Sequence, residues 1–418
     1  MKPNSKWFIL SSLLFLFLAY ALHKPFPPGF CKSPLDRAIL YVIEPFLRVT
    51  YYWPSLAFFT KATNRVWWTR SIFVVLSPIM SLKWDSHGTI KTETVQWAGV
   101  TTRVYSPKEN ATTDGAVVFI HGGGFAIGDI YLYDSLTKRM AAMLNSVVIS
   151  IDYRLSPETV YPGQLTDCEG VLAHFIEVAK DKYGVDPNKI VIMGDSAGGN
   201  LAAVITQRRK LRGAVPQLLG QVLLYPLLQL ADLQSTSYRY YHKHLDGFAF
   251  VDPASVALYY MFYAGIDMNK HGHLIDHILT NSHVKNEHRD KIDKFLRFEE
   301  FSHLNYSGAD IPPKQVAGPH SELQEIMAPW VVNPEFSPIM REDLSGLPKA
   351  LVVTCEYDVL RDEGMMYAKR LEEAGVPTTH KNYVNGFHAM LNFHWEIDEA
   401  YKATEEIVEW VRQVLLSA

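Results

Sequence analysis

The chain has 418 residues, of which 48% are hydrophobic, 12% are aromatic and 20% are charged. At about 150 residues per domain, this length allows two to three domains, or one large α/β domain with insertions. The 40 Lys and Arg residues against 44 Asp and Glu residues leave a formal net charge of −4, without the basic excess that binding a phosphate backbone requires. The composition also excludes disordered, collagen-like and coiled-coil chains, so we expect a globular protein that does not bind nucleic acid.

A hydrophobic N-terminal segment indicates export or membrane insertion. Lys2 and Lys6 precede residues 7–22, which contain no charged side chain. The length of this segment falls between that of a signal-peptide core and the roughly 20 residues that cross a bilayer. We expect residues 1–23 to be an N-terminal signal anchor; the alternatives are cleavage at the small residues around Ala21 and a buried helix of a soluble protein. In the first two cases the rest of the chain faces the lumen or the exterior.

Two glycosylation sequons, at Asn110 and Asn305, are compatible with that side of a membrane. The three cysteines, Cys31, Cys168 and Cys355, are too few and too widely spaced for a disulfide scaffold. One disulfide could still form among them. No Cys/His spacing is typical of structural zinc, so we expect no metal site.

Residues 24–87 form an aromatic-rich stretch ahead of the regular part of the chain. Within it, residues 39–82 are mostly apolar but are interrupted by prolines and by Arg48, Lys61 and Arg70, which argues against a second membrane span. One interpretation is a set of short cap helices that pack on the body of the protein. The other is a lid or interfacial surface that rests on lipid.

Residues 88–227 alternate short apolar runs with helix-like segments, which is typical of βαβ units around a parallel sheet. Residues 94–105 are predicted to form a strand, and further buried strands are predicted at 116–120, 147–151, 190–193, 221–225 and 350–354. Residues 228–340 break this rhythm and are predicted to be a cap insertion, after which the α/β core resumes over residues 341–418. The tyrosines of this cap, which suit either an apolar pocket or ordinary packing, are Tyr238, Tyr240, Tyr241, Tyr259, Tyr260 and Tyr263.

A GxSxG sequence follows the predicted strand at 190–193 and precedes a helix-forming run. In this setting Ser196 is a candidate nucleophile on a tight strand-to-helix turn. Gly194 and Gly198 flank the serine because such a turn leaves no room for Cβ atoms beside it. A helix that starts here also directs its positive dipole end towards developing negative charge.

A run of three glycines, in the sequence HGGGF at 121–125, follows the predicted strand that ends at Ile120. Glycines let the backbone approach a substrate with its N–H groups exposed, and such donors stabilise the oxyanion that forms on an attacked carbonyl. We therefore assign the oxyanion hole to the N–H groups of Gly123, Gly124 and Ala197. His121 is expected to orient the loop rather than to transfer protons.

A serine nucleophile needs a base and an acid that orients the base. In α/β-hydrolases the chain order is serine, acid, histidine, so both partners are sought after Ser196. Asp358 and His388 each fall just past a predicted strand and are the predicted partners. Glu356 and Asp362 compete for the acid role, and Asp362 is better explained as a helix N-cap.

Five motifs together resemble the hormone-sensitive-lipase-like branch of the α/β-hydrolases, and within it the arylacetamide deacetylase and neutral cholesterol ester hydrolase group of membrane-anchored enzymes. They are HGGGF at 121–125, DYRLSPE at 152–158, GDSAGGNLAA at 194–203, CEYDVLRDEG at 355–364 and NGFH at 385–388. The resemblance implies an α/β-hydrolase fold, with a mostly parallel sheet flanked by helices and a helical cap. It also implies the same triad and oxyanion residues.

The resemblance extends to the N-terminus, because residues 7–22 look like the signal anchor of this family. We therefore expect a single-pass type II protein of the endoplasmic reticulum membrane with a lumenal catalytic domain, or a secreted protein if the signal is cleaved. Two positions depart from the family. Asn385 stands where Asp often precedes GFH, and Ala126 replaces the cysteine that in arylacetamide deacetylase could pair with a cysteine matching Cys355.

The expected activity is hydrolysis of lipophilic carboxylic esters by a membrane-anchored serine enzyme, through an acyl-enzyme intermediate and without a cofactor. Its expected partners are the ester substrate and membrane lipid. Amide hydrolysis on the same machinery is also open, since the resemblance includes a deacetylase. A catalytically silent receptor for a small molecule on the same fold is the alternative from another functional class.

Overall fold

The computed structural model describes residues 12–14, 17, 20, 24–27, 29–58, 61–82, 88–246, 248, 251–301, 309–315 and 317–417. Most of the predicted anchor over residues 1–23 lies outside the described residues, as does the sequon at Asn305. Among the helices that are described, none combines the length and the apolar character that crossing a membrane requires.

One eight-stranded sheet lies at the centre of the described chain. Its strands are β1 (Ile90–Trp97), β2 (Val100–Pro107), β3 (Ala116–Ile120), β4 (Val147–Asp152), β5 (Ile190–Asp195), β6 (Gly220–Leu224), β7 (Lys349–Tyr357) and β8 (Thr378–Phe387). Their spatial order is β1-β2-β4-β3-β5-β6-β7-β8. The β1–β2 and β2–β4 pairs are antiparallel, and the other pairs are parallel. The predicted fold class, a mostly parallel sheet of the α/β-hydrolase type, is confirmed.

The prediction of one strand over residues 94–105 is wrong. The chain turns at Ala98 and Gly99, whose φ angles of 49° and 77° are left-handed, and β1 and β2 form a hairpin. Such a two-residue turn matches the twist of the strands it joins. The strand pattern of the sequence conceals it because Trp97 and Val100, on either side of the turn, are both buried.

Helices flank the sheet and cover its carboxyl edge. In chain order they are α1 (Pro34–Leu47), α2 (Trp53–Phe58), α3 (Ala62–Leu82), α4 (Asp134–Leu144), α5 (Gly163–Tyr183), α6 (Ala197–Leu211), α7 (Thr236–His244), α8 (Pro253–Tyr263), α9 (Met268–His271), α10 (Ile275–Leu279), α11 (Asn286–Phe295), α12 (Ser321–Val331), α13 (Arg361–Glu373) and α14 (Asp398–Leu416). A π-helical turn, Arg48–Tyr52, joins α1 to α2. Short 3₁₀ turns span Gly272–Leu274, Phe298–Phe301, Pro338–Met340 and Met390–Phe393.

The helices pack in groups that match the βαβ rhythm of the sequence. Helix α4 contacts α14, and α5 contacts α6, while α6 also lies against β5 and β6 and α13 lies against β7 and β8. The buried central strands read as continuous apolar runs because helices cover both faces of a parallel sheet. In β3 and β5 every residue is buried.

Helices α7–α12 occupy the stretch predicted to form the cap insertion, and α1–α3 come from the aromatic-rich N-terminal stretch. Of the six cap tyrosines, Tyr259 lines the cavity described below, and the others are buried in the core. The three cysteines, Cys31, Cys168 and Cys355, are all free and buried, so the disulfide left open by the sequence is not formed.

Candidate active site

The candidate nucleophile stands on a strained turn between β5 and α6. Ser196 has a φ of 52° and a ψ of −119°, a conformation that non-glycine residues adopt only under constraint. A Cβ atom at Gly194 would lie 2.2 Å from the carbonyl oxygen of Gly198, and one at Gly198 would lie 2.0 Å from that of Ile120. The predicted reason for both glycines is therefore confirmed.

The structure brings together the three side chains that the sequence separates by up to 192 positions. The Ser196 hydroxyl lies 3.0 Å from Nε2 of His388, in position to donate to it. On the other side of the imidazole, Nδ1 lies 2.8 Å from Oδ2 of Asp358. All three side chains are buried, so water does not compete strongly for these hydrogen bonds.

Asp358 is held by its own loop. Its second carboxylate oxygen accepts the backbone N–H of Leu360 at 2.9 Å, which leaves Oδ2 for the histidine. The competing acids bind elsewhere. Glu356 forms an ion pair with Arg361 at 2.8 Å, and Asp362 accepts the N–H of Ser237 at 2.8 Å.

The prediction that Asp362 is the N-cap of the following helix is wrong. That helix, α13, begins at Arg361, and the capping position is Leu360. Asp362 lies in the first turn of the helix, where a carboxylate is favoured by the helix dipole. The capping position lies two residues earlier than predicted, next to the turn in which the Asp358 side chain accepts the N–H of Leu360.

The predicted oxyanion residues surround the serine. Gly123 and Gly124 have φ angles of 109° and 58°, and both line the same cavity as Ser196 and His388. Ala197 is the first residue of α6, where a backbone N–H has no acceptor inside the helix. N–H groups from two separate elements are thus available where negative charge would develop on a carbonyl oxygen.

Asp195 joins the glycine loop to the serine turn, a role that sequence reasoning missed. Its carboxylate accepts the N–H of Gly122 at 2.6 Å and the hydroxyl of Tyr133 at 3.0 Å, and it is only 1% exposed. Burial raises the pKa of Asp195 to about 6. A signal was available in the sequence, because an acidic residue at the end of a buried strand needs a partner.

His121 is placed as the sequence predicts, as a residue that orients the loop. Its ring stacks on Tyr153 with centroids 4.4 Å apart, and its Nδ1 lies 2.7 Å from the carbonyl oxygen of Gly122. Burial lowers the pKa of His121 to about 4, so the ring is neutral at physiological pH.

A cavity of about 200 Å³ opens directly onto the serine and histidine. Its walls come from the sheet loops, from the cap around helix α8, and from the N-terminal helices. The lining side chains other than Ser196, His388 and the oxyanion glycines include Leu47, Tyr52, Phe73, Leu132, Leu227, Val251, Val256, Tyr259, Leu360 and Phe393. An apolar cavity with a few convergent polar groups is the usual form of a small-molecule site.

Comparison with known proteins identifies the family of this chain. The α/β hydrolase fold family matches residues 117–286 and 323–392. Neutral cholesterol ester hydrolase 1 of Bos taurus is 30% identical to the chain and matches 99% of it and 100% of its own length. Arylacetamide deacetylase of Oryctolagus cuniculus is 34% identical, over 75% of this chain and 78% of its own. The chain belongs to this α/β-hydrolase family.

Solved structures agree with that assignment. An esterase of Pyrobaculum calidifontis matches with a TM-score of 0.59 at 28% identity, over 83% of this chain and 92% of its own. An arylesterase matches with a TM-score of 0.61 at 25% identity, over 91% of this chain and 99% of its own. With a complete Ser–His–Asp arrangement, the chain is a serine ester hydrolase of this family, and the alternative of a silent receptor is not favoured.

The N-terminal stretch of the hydrolase contacts the glycine loop and the strand that leads to the histidine. Arg70 of α3 donates to the carbonyl oxygen of Ala126, in the glycine loop, at 2.6 Å, and it pairs with Glu158 at 2.8 Å. The backbone N–H of Cys31 donates to the carbonyl oxygen of Asn385, three residues before the histidine, at 3.2 Å. Sequence reasoning had no signal for these contacts, because each joins segments that are far apart in the chain.

Proposed function

We propose that the hydrolase is anchored to a membrane and cleaves lipophilic carboxylic esters through an acyl-enzyme intermediate. The observation that carries the proposal is the 3.0 Å contact between the Ser196 hydroxyl and Nε2 of His388 at the end of a mostly apolar cavity. The hydroxyl, the base and the apolar walls meet at one point, where a carbonyl carbon with an apolar substituent fits.

The geometry supports a two-step reaction. Oγ of Ser196 attacks the ester carbonyl carbon while Nε2 of His388 takes the hydroxyl proton, and Asp358 stabilises the imidazolium and holds its orientation. The N–H groups of Gly123, Gly124 and Ala197 stabilise the negative oxygen of the tetrahedral intermediate.

The leaving alkoxide then takes the proton from His388 and departs as an alcohol. Water, deprotonated by the same imidazole, attacks the acyl-enzyme and releases a carboxylic acid. No cofactor is required for either step.

The lining of the cavity supports a lipophilic substrate. Outside the catalytic residues and the glycine loop its walls are largely aliphatic and aromatic, and the desolvation of an apolar chain there is favourable. One relative is named as a cholesterol ester hydrolase and another as a deacetylase. These names support hydrolysis of esters as the first candidate reaction and hydrolysis of amides as the second. The ratio of kcat/KM for a matched aryl ester and anilide decides between these two.

Membrane anchoring and lumenal placement complete the proposal. Residues 1–23 anchor the chain in the endoplasmic reticulum membrane as a single-pass type II protein, with the catalytic part in the lumen; secretion after cleavage is the alternative. Asn110 is exposed in the loop between β2 and β3, which supports its use as a glycan acceptor. Asn305 is the second candidate acceptor.

Substitution of the serine tests the activity directly. Ser196→Ala removes the nucleophile but leaves the cavity intact, so turnover of p-nitrophenyl butyrate should fall by about 10⁴-fold or more. The matched control is Ser255→Ala, in the wall of the same cavity, which should retain turnover within about tenfold. A fluorophosphonate probe should label the wild type and not the Ser196 variant. Wild-type protein that binds esters without labelling or turnover would favour the receptor.

The topology has its own test in intact microsomes. Endoglycosidase should increase the electrophoretic mobility of the chain, and Asn110→Gln should reduce that shift. Protease added from the cytosolic side should leave the catalytic part intact. Digestion without detergent, together with the absence of any mobility shift, would contradict the lumenal placement.

A further inference from the structure

The charged side chains of the first N-terminal helices point inwards. Asp36, Glu44 and Arg48 are 2%, 1% and 1% exposed. Arg48 and Glu44 form a buried ion pair, with Nε to Oε1 at 2.9 Å, and Asp36 accepts the N–H of Asp398 at 3.2 Å. In a water-soluble helix such residues face solvent, because burying a charge is costly unless it is paired.

The opposite face of the same helices is apolar. Among the described side chains of residues 34–58, every exposed one is apolar. The spacing of its large members by seven, four, three and four residues, from Leu35 to Trp53, places them on one side of a helix. These members are Leu35, Val42, Phe46, Val49 and Trp53, and Phe58 of α2 is also exposed.

Helix α3 repeats the inverted arrangement from Trp67 onwards, whereas before it Asn64 is exposed and Val66 is buried. Its exposed side chains include Trp67, Val74 and Val75 at 62%, 59% and 66%, whereas Thr69 and Ser77 are buried at 6% and 5%. Two separate helices therefore turn polar residues towards the protein and apolar residues away from it. This pattern is the reverse of that in a water-soluble protein, where the apolar side of a surface helix faces the core and the polar side faces solvent.

We infer that this N-terminal face, made of Leu35, Val42, Phe46, Val49, Trp53, Phe58, Trp67, Val74 and Val75, rests in the interfacial layer of a phospholipid bilayer. A contiguous apolar patch beyond a few hundred Å² is unusual on a soluble monomer and marks a membrane or protein contact. The inference rests on the proposed function, since it supplies the route by which a lipophilic ester reaches the site.

Three observations favour lipid over a second copy of the chain. The hydrophobic residues 7–22 precede α1 by a short connection, which brings its start close to any membrane that they enter. Lys32 and Lys61 are exposed beside the starts of α1 and α3, where their ammonium groups can pair with the phosphates of lipid headgroups. Tryptophans are typical of the headgroup region, where an apolar ring meets a polar layer.

The same helices also form part of the active-site cavity. Leu47, Tyr52 and Phe73 line the cavity. Each is next in the sequence to a residue of the N-terminal face, namely Phe46, Trp53 and Val74. The helices thus present one side to the bilayer and another to the substrate. An ester dissolved among acyl chains would then reach the cavity past these helices without crossing water.

A fluorescent label on the full chain tests the contact. The native cysteines are buried, so NBD attaches selectively to a new exposed cysteine. Phe46→Cys places the label on the N-terminal face. Leu211→Cys is the matched control: it is also exposed and lies at the far end of α6, about 20 Å along that helix from Ser196.

The labelled proteins are reconstituted in vesicles of phosphatidylcholine and phosphatidylserine, with brominated phosphatidylcholine as the quencher. We expect quenching at position 46 to exceed that at position 211 by about threefold or more, together with a blue shift in emission. Equal quenching at both positions overturns the inference. A blue shift at position 46 without quenching also overturns it, because a second copy of the chain then covers the face.

A charge on the face supplies a functional readout. Val42→Asp should lower the rate on a long-chain ester held in vesicles by about tenfold relative to the rate on dissolved p-nitrophenyl acetate, whereas Leu211→Asp should leave that ratio unchanged. An unchanged ratio for Val42→Asp overturns the inference. If the proposed ester hydrolysis itself failed, the bromolipid quenching would remain, so the two failures are distinguishable.

Discussion

Replacement of Asp195 should disable the oxyanion loop while the triad stays in place. In Asp195→Ala, the N–H of Gly122 loses its acceptor at 2.6 Å and the hydroxyl of Tyr133 loses its acceptor at 3.0 Å. Each buried group left without a partner costs about 1–3 kcal/mol. Since Gly122 immediately precedes Gly123 and Gly124, the loop can recover these bonds only by moving the oxyanion donors.

The size of the expected effect follows from those two costs. Together they amount to about 2–6 kcal/mol, which is comparable with the roughly 3–4 kcal/mol that one oxyanion donor contributes to the transition state. We therefore expect kcat/KM of Asp195→Ala to fall by about 10²–10³-fold. Most of the loss should be in kcat, because the oxyanion exists only in the transition state.

Asp195→Asn is the control for this experiment. Its amide oxygen still accepts from Gly122, and its amide nitrogen can donate to the Tyr133 oxygen, so kcat/KM should stay within about tenfold of the wild type. The assay is p-nitrophenyl butyrate turnover with the rate of fluorophosphonate labelling, on protein whose fold is checked by circular dichroism. A folded Ala variant with wild-type kcat, or an Asn variant as slow as the Ala variant, would refute the reasoning.

Other substitutions test the glycine loop, the N-terminal helices and a partly buried histidine. A Cβ at Gly123 would lie 2.0 Å from the carbonyl oxygen of Ile127, so Gly123→Ala should lower kcat by about 10²-fold or more, and a wild-type rate would contradict this. Arg70→Gln removes the ion pair and the bond to Ala126, so urea titration should show a free energy of unfolding lower by about 1–3 kcal/mol; an unchanged midpoint contradicts it. Burial lowers the pKa of His380 to about 4, whereas the pKa of a histidine in the unfolded chain is about 6.5. As the pH falls below about 6.5, the unfolded chain therefore binds a proton before the folded protein does, and the free energy of unfolding declines. Between pH 7 and pH 5, the free energy of unfolding of His380→Gln should fall by up to about 2 kcal/mol less than that of the wild type. Equal losses in the two proteins would show that the pKa of His380 is not the cause.

The candidate catalytic and oxyanion residues could be found in the sequence because each depends on its immediate neighbours. Ser196 needs small residues around it on a tight turn, and Gly123 and Gly124 need a preceding strand to present them. Asp358 and His388 follow buried strands, and the carboxyl ends of parallel strands meet at one edge of the sheet. Local backbone geometry and strand order were therefore sufficient to expect that these side chains lie close together in the fold.

The partners of buried polar groups could not be read in the same way. Asp195 stands next to the serine in the sequence, but its bonds go to Gly122 and Tyr133, which lie on other elements. The same holds for Arg70, whose acceptor Ala126 lies 56 positions away. Such pairs depend on how distant segments pack, and nothing in the local pattern specifies them.

The N-terminal stretch shows most clearly what the sequence determines and what depends on the tertiary structure. Its composition indicated short helices, with Arg48 among the residues that interrupt the apolar run, and left open whether they pack on the protein or meet lipid. Only the tertiary structure decided that Arg48 turns inwards and pairs with Glu44, while Phe46 and Trp53 turn out. Amino-acid type determines which side chains are costly to bury; the fold determines which of them find a partner, and hence which face is left to the surroundings.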